Sequence, residues 1–252
     1  MNKAYVGHKI IHLSRVDSTN NYTANVFKSG EISSGTVIMA DNQTNGRGQR
    51  ENTWQSKPFE NITMSFPLDL NLVGINQQIS INHIICLAIK NFISPYSSNV
   101  KIKWPNDIMV KGNKIAGVLI ENSYEGKKLK HAIIGIGINV NQTEFPYPNT
   151  TSLKLISEEN YNPKLIVFEL INCINNQIDI FSKLGAKAHK KIFDESLWLL
   201  GKKSKFEFIR TNSSFEGEIT GTSEEGLLKI IDLKSKKENT FRNGEIKFTE
   251  RK

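Results

Sequence analysis

The feature that most constrains this chain is a hairpin. The stretch DIMVKGNKIAGVLIEN, Asp107 to Asn122, carries apolar runs on either side of a break at Lys111-Gly112-Asn113. Glycine and asparagine supply the positive φ that a tight strand-to-strand turn requires. Strands joined this way run antiparallel, so the chain is committed to a sheet with antiparallel neighbours. VKIKW precedes the hairpin and KLKHAIIGIGINV follows it, both with strand character. GTVIMADNQ and NITMSFPL read as further strands, the second with Ile62, Met64 and Phe66 alternating. KIIHLSRVD is extended in character.

Helical segments sit between these strands. STNNYTANVFKSG predicts a helix capped by Ser18 or Thr19, closed by Gly30, with Tyr22, Val26 and Phe27 on its apolar face. INQQISINHIICLAIKNFI places Ile81, Ile85, Ala88, Ile89 and Phe92 on one face. PKLIVFELINCINNQIDIFSKL predicts a long helix beginning after Pro163, and a further helix covers part of 186–200. After Gly201 the pattern changes. SKFEFIR, SFEGEITGT, LLKIIDL and TFRNGEIKF are short strands separated by turn signals, as in a small β-barrel-like domain of about fifty residues. The expected organisation is an α+β unit over residues 1–200 and a β unit over 201–252.

Bulk properties narrow the class only a little. The chain has 252 residues, 38% hydrophobic and 23% charged, the balance of a folded globular protein. The net charge of +8 favours an acidic or phosphorylated partner, yet Lys and Glu are interspersed, which suits an ordinary solvated surface. Cys86 and Cys173 lie apart in apolar helical stretches and form no disulfide framework, which points to a reducing, cytoplasmic setting. No apolar run reaches membrane-spanning length, and no signal-like segment opens the chain. Gly30 to Thr36 has P-loop spacing without the lysine, Gly135-Ile136-Gly137 lacks the third glycine of a dinucleotide fingerprint, and no Cys/His cluster completes a metal site.

Three segments remain. In GRGQRENTW, glycines let backbone N–H groups approach an anion, Arg47 and Arg50 add charge, and Trp54 offers a flat face; a surface loop with a tucked tryptophan reads equally well. In KWPNDIMVKGNKIAG, Lys114 falls within an apolar strand, where a cation needs a reason to be, unless it simply faces solvent. In GIGINVN, the glycines mark either a close approach by a ligand or tight strand packing, and the Asn139 amide matches an adenine edge.

Taken in order, DSTNNY, QTNGRGQRENTW, KWPNDIMVKGNKIAGVLIE and GIGINV resemble the catalytic domain of biotin protein ligases, and Thr151-Ser152-Leu153 and the strands ending at Gly244-Glu245-Ile246 extend the likeness over nearly the whole chain. The resemblance implies a class II synthetase-like catalytic domain, with a mixed, mainly antiparallel sheet and flanking helices, and an SH3-like C-terminal barrel. It implies a short form without the N-terminal helix-turn-helix of the repressor members, and so no DNA binding. The implied reaction joins biotin and ATP into biotinyl-5′-AMP, then transfers biotin to a lysine of a biotin carboxyl carrier domain.

The resemblance also implies roles. Ser18, Thr19, Asn20, Gln43 and Gly117 would line the biotin pocket, and Arg47, Gly48 and Gln49 would hold the valeryl carboxylate end. Lys114 would bridge the biotin carboxylate and the α-phosphate. Gly46, Arg50, Trp54, Lys103, Asn106 and Asn139 would serve ATP, with Asp107 either placing magnesium or accepting a proton from the incoming lysine. Gln49 and Glu51 depart from the family's basic or small residues in the loop. A lipoate protein ligase on the same fold, a basic nucleic-acid-binding protein and a biotin sensor are the alternatives. The expected assembly is a monomer or weak homodimer.

Overall fold

The computed structural model describes residues 5–249 apart from Glu51, Leu72, Asn76, Gln77 and Lys127; Glu51, where the loop departs from the family pattern, therefore lies outside the described residues. The first sheet contains β1 (Ile10–Leu13), β2 (Val37–Ala40), β3 (Ile62–Asp69), β4 (Val100–Lys103), β5 (Asp107–Val110), β6 (Asn113–Glu125) and β7 (Lys128–Ile138). These seven strands lie in the order β1-β2-β3-β7-β6-β5-β4. Only β1 and β2 run parallel; the other neighbours are antiparallel. The β5–β6 hairpin turns at Lys111 and Gly112, with φ of 48° and 83°, the double positive φ of a tight hairpin.

The helices are α1 (Thr19–Lys28), α2 (Gln78–Ile93), α3 (Leu153–Ser157) and α4 (Pro163–Glu195), with a short 3₁₀ turn at Ser94–Tyr96. The Asn162 side chain caps α4 by accepting from Lys164 N, with Pro163 at the first helical position. Gly185 (φ 77°, ψ 170°) breaks the run, so the expected pair of helices meets end to end. α3 was not anticipated: its Ser152 cap is local, but its only buried side chain is Leu153, and five residues carry little periodic signal.

The alternation along β3 and β7 sorts the sheet into unlike faces. Ile62, Met64 and Phe66, with Ile134, Ile136 and Ile138, join α2 and α4 in one buried core. The intervening residues pair as Thr63 with Gly137 and Ser65 with Gly135, and paired antiparallel residues share a face. The second face is therefore shallow and polar, and there the cleft forms.

A second, five-stranded antiparallel sheet has the order β11-β10-β9-β8-β12. Its members are β8 (Lys203–Phe208), β9 (Ser214–Thr222), β10 (Leu228–Asp232), β11 (Glu238–Phe241) and β12 (Ile246–Phe248). TFRNGEIKF, read as one strand, is two: β11 and β12 are separated by a turn through Asn243 and Gly244, the latter at φ 81°. This sheet docks on the first part of the chain through Trp104, whose Nε1 donates to Gly226 O at 3.0 Å, and through Thr222 Oγ1, which donates to Asp194 Oδ1 at 2.7 Å.

Candidate active site

A cleft of about 760 Å³ runs along the shallow face and opens toward the C-terminal sheet. It brings together the residues the sequence assigned to biotin or ATP, from Ser18 to Asn139, with the exception of Gly46, which stands behind the lining and accepts from Trp54 N through its carbonyl.

The inner end is a hydrogen-bonded cluster at the start of α1. Gln43 Oε1 accepts from Thr19 N at 2.8 Å and from Thr19 Oγ1 at 3.0 Å. Ser65 Oγ lies 2.7 Å from Thr19 Oγ1 and 2.6 Å from Asn20 Oδ1, and Asn20 Nδ2 donates to Glu121 Oε2 at 2.9 Å. This corrects the reading of α1. Ser18 occupies the cap position but makes no side-chain cap bond, and Gln43 from another segment satisfies the first-turn N–H. The buried positions are Thr19, Asn20 and Thr23, while Tyr22, Val26 and Phe27 are only half-buried. A helix seated on a face of serine, threonine and glycine must bury hydrogen-bonding groups, since buried polar atoms need partners.

The glycines of β6 and β7 form the floor. Gly117 pairs with Gly137, and a Cβ at Gly137 would enter the Trp54 indole. At Gly135 a Cβ would strike the Asn20 amide. The close approach foreseen for these glycines is thus made by Trp54 and Asn20, and the isoleucines between them serve the core on the other face. Trp54 Nε1 is buried without a hydrogen-bond partner. The Gly46–Trp54 segment is ordered by its own hydrogen bonds: Trp54 N donates to Gly46 O at 2.9 Å, and Gly48 N to Asn52 O at 2.8 Å.

The outer end gathers charge. Lys114 Nζ pairs with Asp107 Oδ1 at 2.6 Å and lies 5.8 Å from the Trp54 ring centroid. The lysine placed in an apolar strand is therefore ion-paired and partly exposed to the cleft, beside an irregularity in the β5–β6 register. Lys103 Nζ stands 5.7 Å from the Trp198 ring and 5.2 Å from the Phe248 ring. Burial pulls its pKa below the usual lysine value; Asp107 opposes this and the Lys114 cation adds to it. Arg47 is held by Glu121 through 2.9 and 3.2 Å contacts and donates to Asn21 Oδ1 at 2.8 Å.

Both proposed adenine-reading amides are partly committed. Asn106 Nδ2 donates to Val118 O and Asn139 Nδ2 to Thr151 O, which leaves each side-chain oxygen as the group a ligand can address. Among the described residues, no group of three or more His, Cys, Asp or Glu side chains could hold a metal ion, and no helix is long and apolar enough to cross a membrane.

Sequence reasoning missed Ser65, Glu121, Trp198, Asn243 and Phe248. Glu121 had a signal, since it shares strand parity with Gly117 and so faces the same side. The others enter from distant segments, and only the tertiary fold brings them to the cleft.

Comparison with known proteins follows the same lines. The model of the Biotin/lipoate A/B protein ligase family matches residues 13–139. The chain is 28% identical over 231 residues to the bifunctional ligase/repressor BirA of Bacillus spizizenii, covering 89% of this chain and 70% of that protein. It is 33% identical over 142 residues to the chloroplastic biotin–protein ligase 1 of Arabidopsis thaliana, covering 53% of this chain and 37% of that protein. Among solved structures, the biotin protein ligase from Aquifex aeolicus in complex with biotin and ATP superposes with a TM-score of 0.76 at 26% identity, covering 96% of this chain and 100% of that one. With its fold, the ordered motifs and the match over residues 13–139 in agreement, this chain belongs to the biotin/lipoate A/B protein ligase family.

Proposed function

We infer that the chain is a biotin protein ligase, which activates biotin with ATP and passes it to a lysine of a biotin carboxyl carrier domain. One observation carries the choice of biotin over lipoate: the inner end of the cleft is a polar cluster in which Thr19, Asn20 and Ser65 are buried and the half-buried Gln43 accepts from Thr19. A ureido ring offers donors and an acceptor to such a cluster. A dithiolane ring offers neither and would strand those groups, and a site built to hydrogen-bond its ligand discriminates strongly against one that cannot.

In the first step an oxygen of the biotin carboxylate attacks the α-phosphorus, and the bond to the bridging oxygen breaks to release pyrophosphate. In the second, the carrier lysine's neutral amine attacks the acyl carbon of the adenylate. AMP leaves with the bonding electrons, and the ammonium proton of the adduct passes to solvent or a nearby base. The first step brings anions together. Two unit charges ~4 Å apart at an effective dielectric of ~20 repel by about 4 kcal/mol. Lys114 is the cation for that junction. Its Asp107 partner, 2.6 Å away, keeps it aimed before ligand arrives, and arrival of the carboxylate and phosphate exchanges one anionic neighbour for others. Lys103, lodged between Trp198 and Phe248, serves the phosphates. Arg47, Gly48 and Gln49 close over the carboxylate, Trp54 and the oxygens of Asn106 and Asn139 receive the adenine, and Gly46 and Arg50 shape the ATP side of the loop.

Magnesium belongs to this scheme as a companion of the triphosphate, which fits a cleft whose carboxylates, Asp107 and Glu121, are each paired with a cation and where no group of three or more His, Cys, Asp or Glu among the described residues could hold a metal ion. Bound there, it neutralises phosphate charge. The catalytic unit is assigned to residues 1–200 and an SH3-like unit to 201–252, in a cytoplasmic monomer or weak dimer. Isotope exchange between pyrophosphate and ATP tests the activation step. Exchange that requires biotin, and is not supported by lipoate, is expected. Exchange with lipoate alone would overturn the reading of the polar cluster.

A further inference from the structure

We propose that the turn between β11 and β12 is a latch that holds the glycine loop over the cleft, with Asn243 as its positioning residue. The loop is a small hairpin in its own right: Arg47 pairs with Thr53, and Asn52 N donates to Gln49 O at 3.2 Å. Its tip is Gln49-Arg50, with Arg50 at φ 57°. Gln49 stands where the family's loop carries a basic residue, Arg50 follows it, and both side chains reach across to the C-terminal sheet. Asn243 Nδ2 donates to Gln49 Oε1 at 2.8 Å, and the Arg50 guanidinium donates to Asn243 O. Gly244, at φ 81°, completes the seat, because a Cβ there would strike that guanidinium.

The latch joins residues almost the full length of the chain apart, and both halves line the cleft: Gln49 and Arg50 from one side, Asn243 and Gly244 from the other. The strand that leaves the turn also carries Phe248, whose ring stands 5.2 Å from Lys103 Nζ. One short segment therefore fixes both the loop tip and the surroundings of a cleft cation. A neutral amide pair and an arginine-to-carbonyl bond depend little on carboxylate chemistry, so the tip stays fastened while the ion pairs beneath it exchange partners with the ligand. The C-terminal sheet thus acts in the chemistry by keeping the loop shut on the activated intermediate. This consequence rests on the ligase reading, whereas the latch itself does not.

The test uses the full chain with Asn243→Ala, Gln49→Leu and the double variant. Asn243 is exposed, so its truncation leaves the core intact. Hydrogen exchange on the ligand-free protein is read first. The segment 46–54 is expected to exchange faster in each single variant, and no faster in the double than in the worse single, since both changes cut one contact. Unchanged exchange there, or fully additive effects, would overturn the latch. In single-turnover reactions Asn243→Ala is expected to release biotinyl-AMP about tenfold faster, as loss of a hydrogen bond of ordinary strength implies, with the rate of its formation near that of the parent. Release at the parent rate would overturn the latch's part in retention. A parent chain that forms no adenylate from biotin or lipoate would defeat the ligase reading instead, and the exchange result would still decide the latch.

Discussion

The two ends of the cleft are built on opposite principles. At the inner end, Thr19, Asn20 and Ser65 are buried, and their hydrogen bonds link α1 to β3, β6 and Gln43, all within the first part of the chain. At the outer end, Lys114, Asp107, Arg47 and Glu121 are all partly exposed, and the wall is borrowed from the C-terminal sheet. The inner end is preorganised, as recognition of a small neutral ring requires. On the ligase reading proposed above, the outer end admits a polyanion, releases pyrophosphate and then receives a macromolecule, and charges held by partners they can exchange suit that work. Exposed ion pairs contribute little to stability. Here their use is to keep cations poised, and the fold is carried by the isoleucine-rich core on the other face.

Four changes sharpen that contrast, in falling order of effect. Lys114→Ala removes the cation proposed for the carboxylate–phosphate junction and should slow biotin-dependent pyrophosphate exchange by ~10³-fold or more, the scale of losing a preorganised charge-stabilising group. Its melting temperature should match the parent within a few degrees, because Lys114 is partly exposed. Near-normal exchange would mean the outer end works without its central cation. Gly137→Ala forces the Trp54 ring off its floor. An overpacking cost of about 1–3 kcal/mol implies a loss of roughly ten- to a hundredfold in adenylate formation. Titration by tryptophan fluorescence would report the displaced ring, and an unmoved signal would refute the floor assignment.

Ser65→Ala cuts into the inner cluster only. It should weaken biotin binding about tenfold, leave ATP binding alone and narrow the preference over lipoate, a pattern calorimetry would read directly. The last change leaves the cleft alone, so its effect on activity is the smallest, and it is read as stability in the shared frame behind the sheet. His83 and His189 are buried at the α2–α4 interface, and burial lowers their pKa values from 6.5 to about 3 and about 4. Folded, they stay neutral; unfolded, they take up protons below about pH 6.5. Stability should therefore be full above that value and fall as pH drops toward 4. Thermal melts across this window should show it, with a shallower slope for His83→Phe.

The legibility of the molecule divides along the same line. The hairpin at Lys111-Gly112, the core strand Ile62–Phe66 and the face Ile81–Phe92 were readable because local periodicity and turn chemistry agree with the burial they meet. That Ser18 to Asn20, Gln43, Arg47 to Arg50, Trp54, Lys103, Asn106, Lys114 and Asn139 share one cleft was readable from ordered motifs. What each does in the ligand-free protein was not. The buried polar face of α1 looked apolar because Tyr22, Val26 and Phe27 satisfy a helical pattern while the face that packs on Ser65 and Gly135 does not. Lys114 looked isolated because Asp107 reaches it only across a register irregularity. Trp104, Glu121 and Asn243 act through contacts that no local window contains.

The most direct measurement is the mass of a biotin carboxyl carrier domain after incubation with the chain, ATP and magnesium, with biotin and lipoate in separate reactions. A gain of one biotin amide, dependent on ATP and absent with lipoate, is the predicted result. A lipoyl adduct, or no adduct from a chain whose melt shows it folded, would contradict the account of the inner end on which the assignment rests.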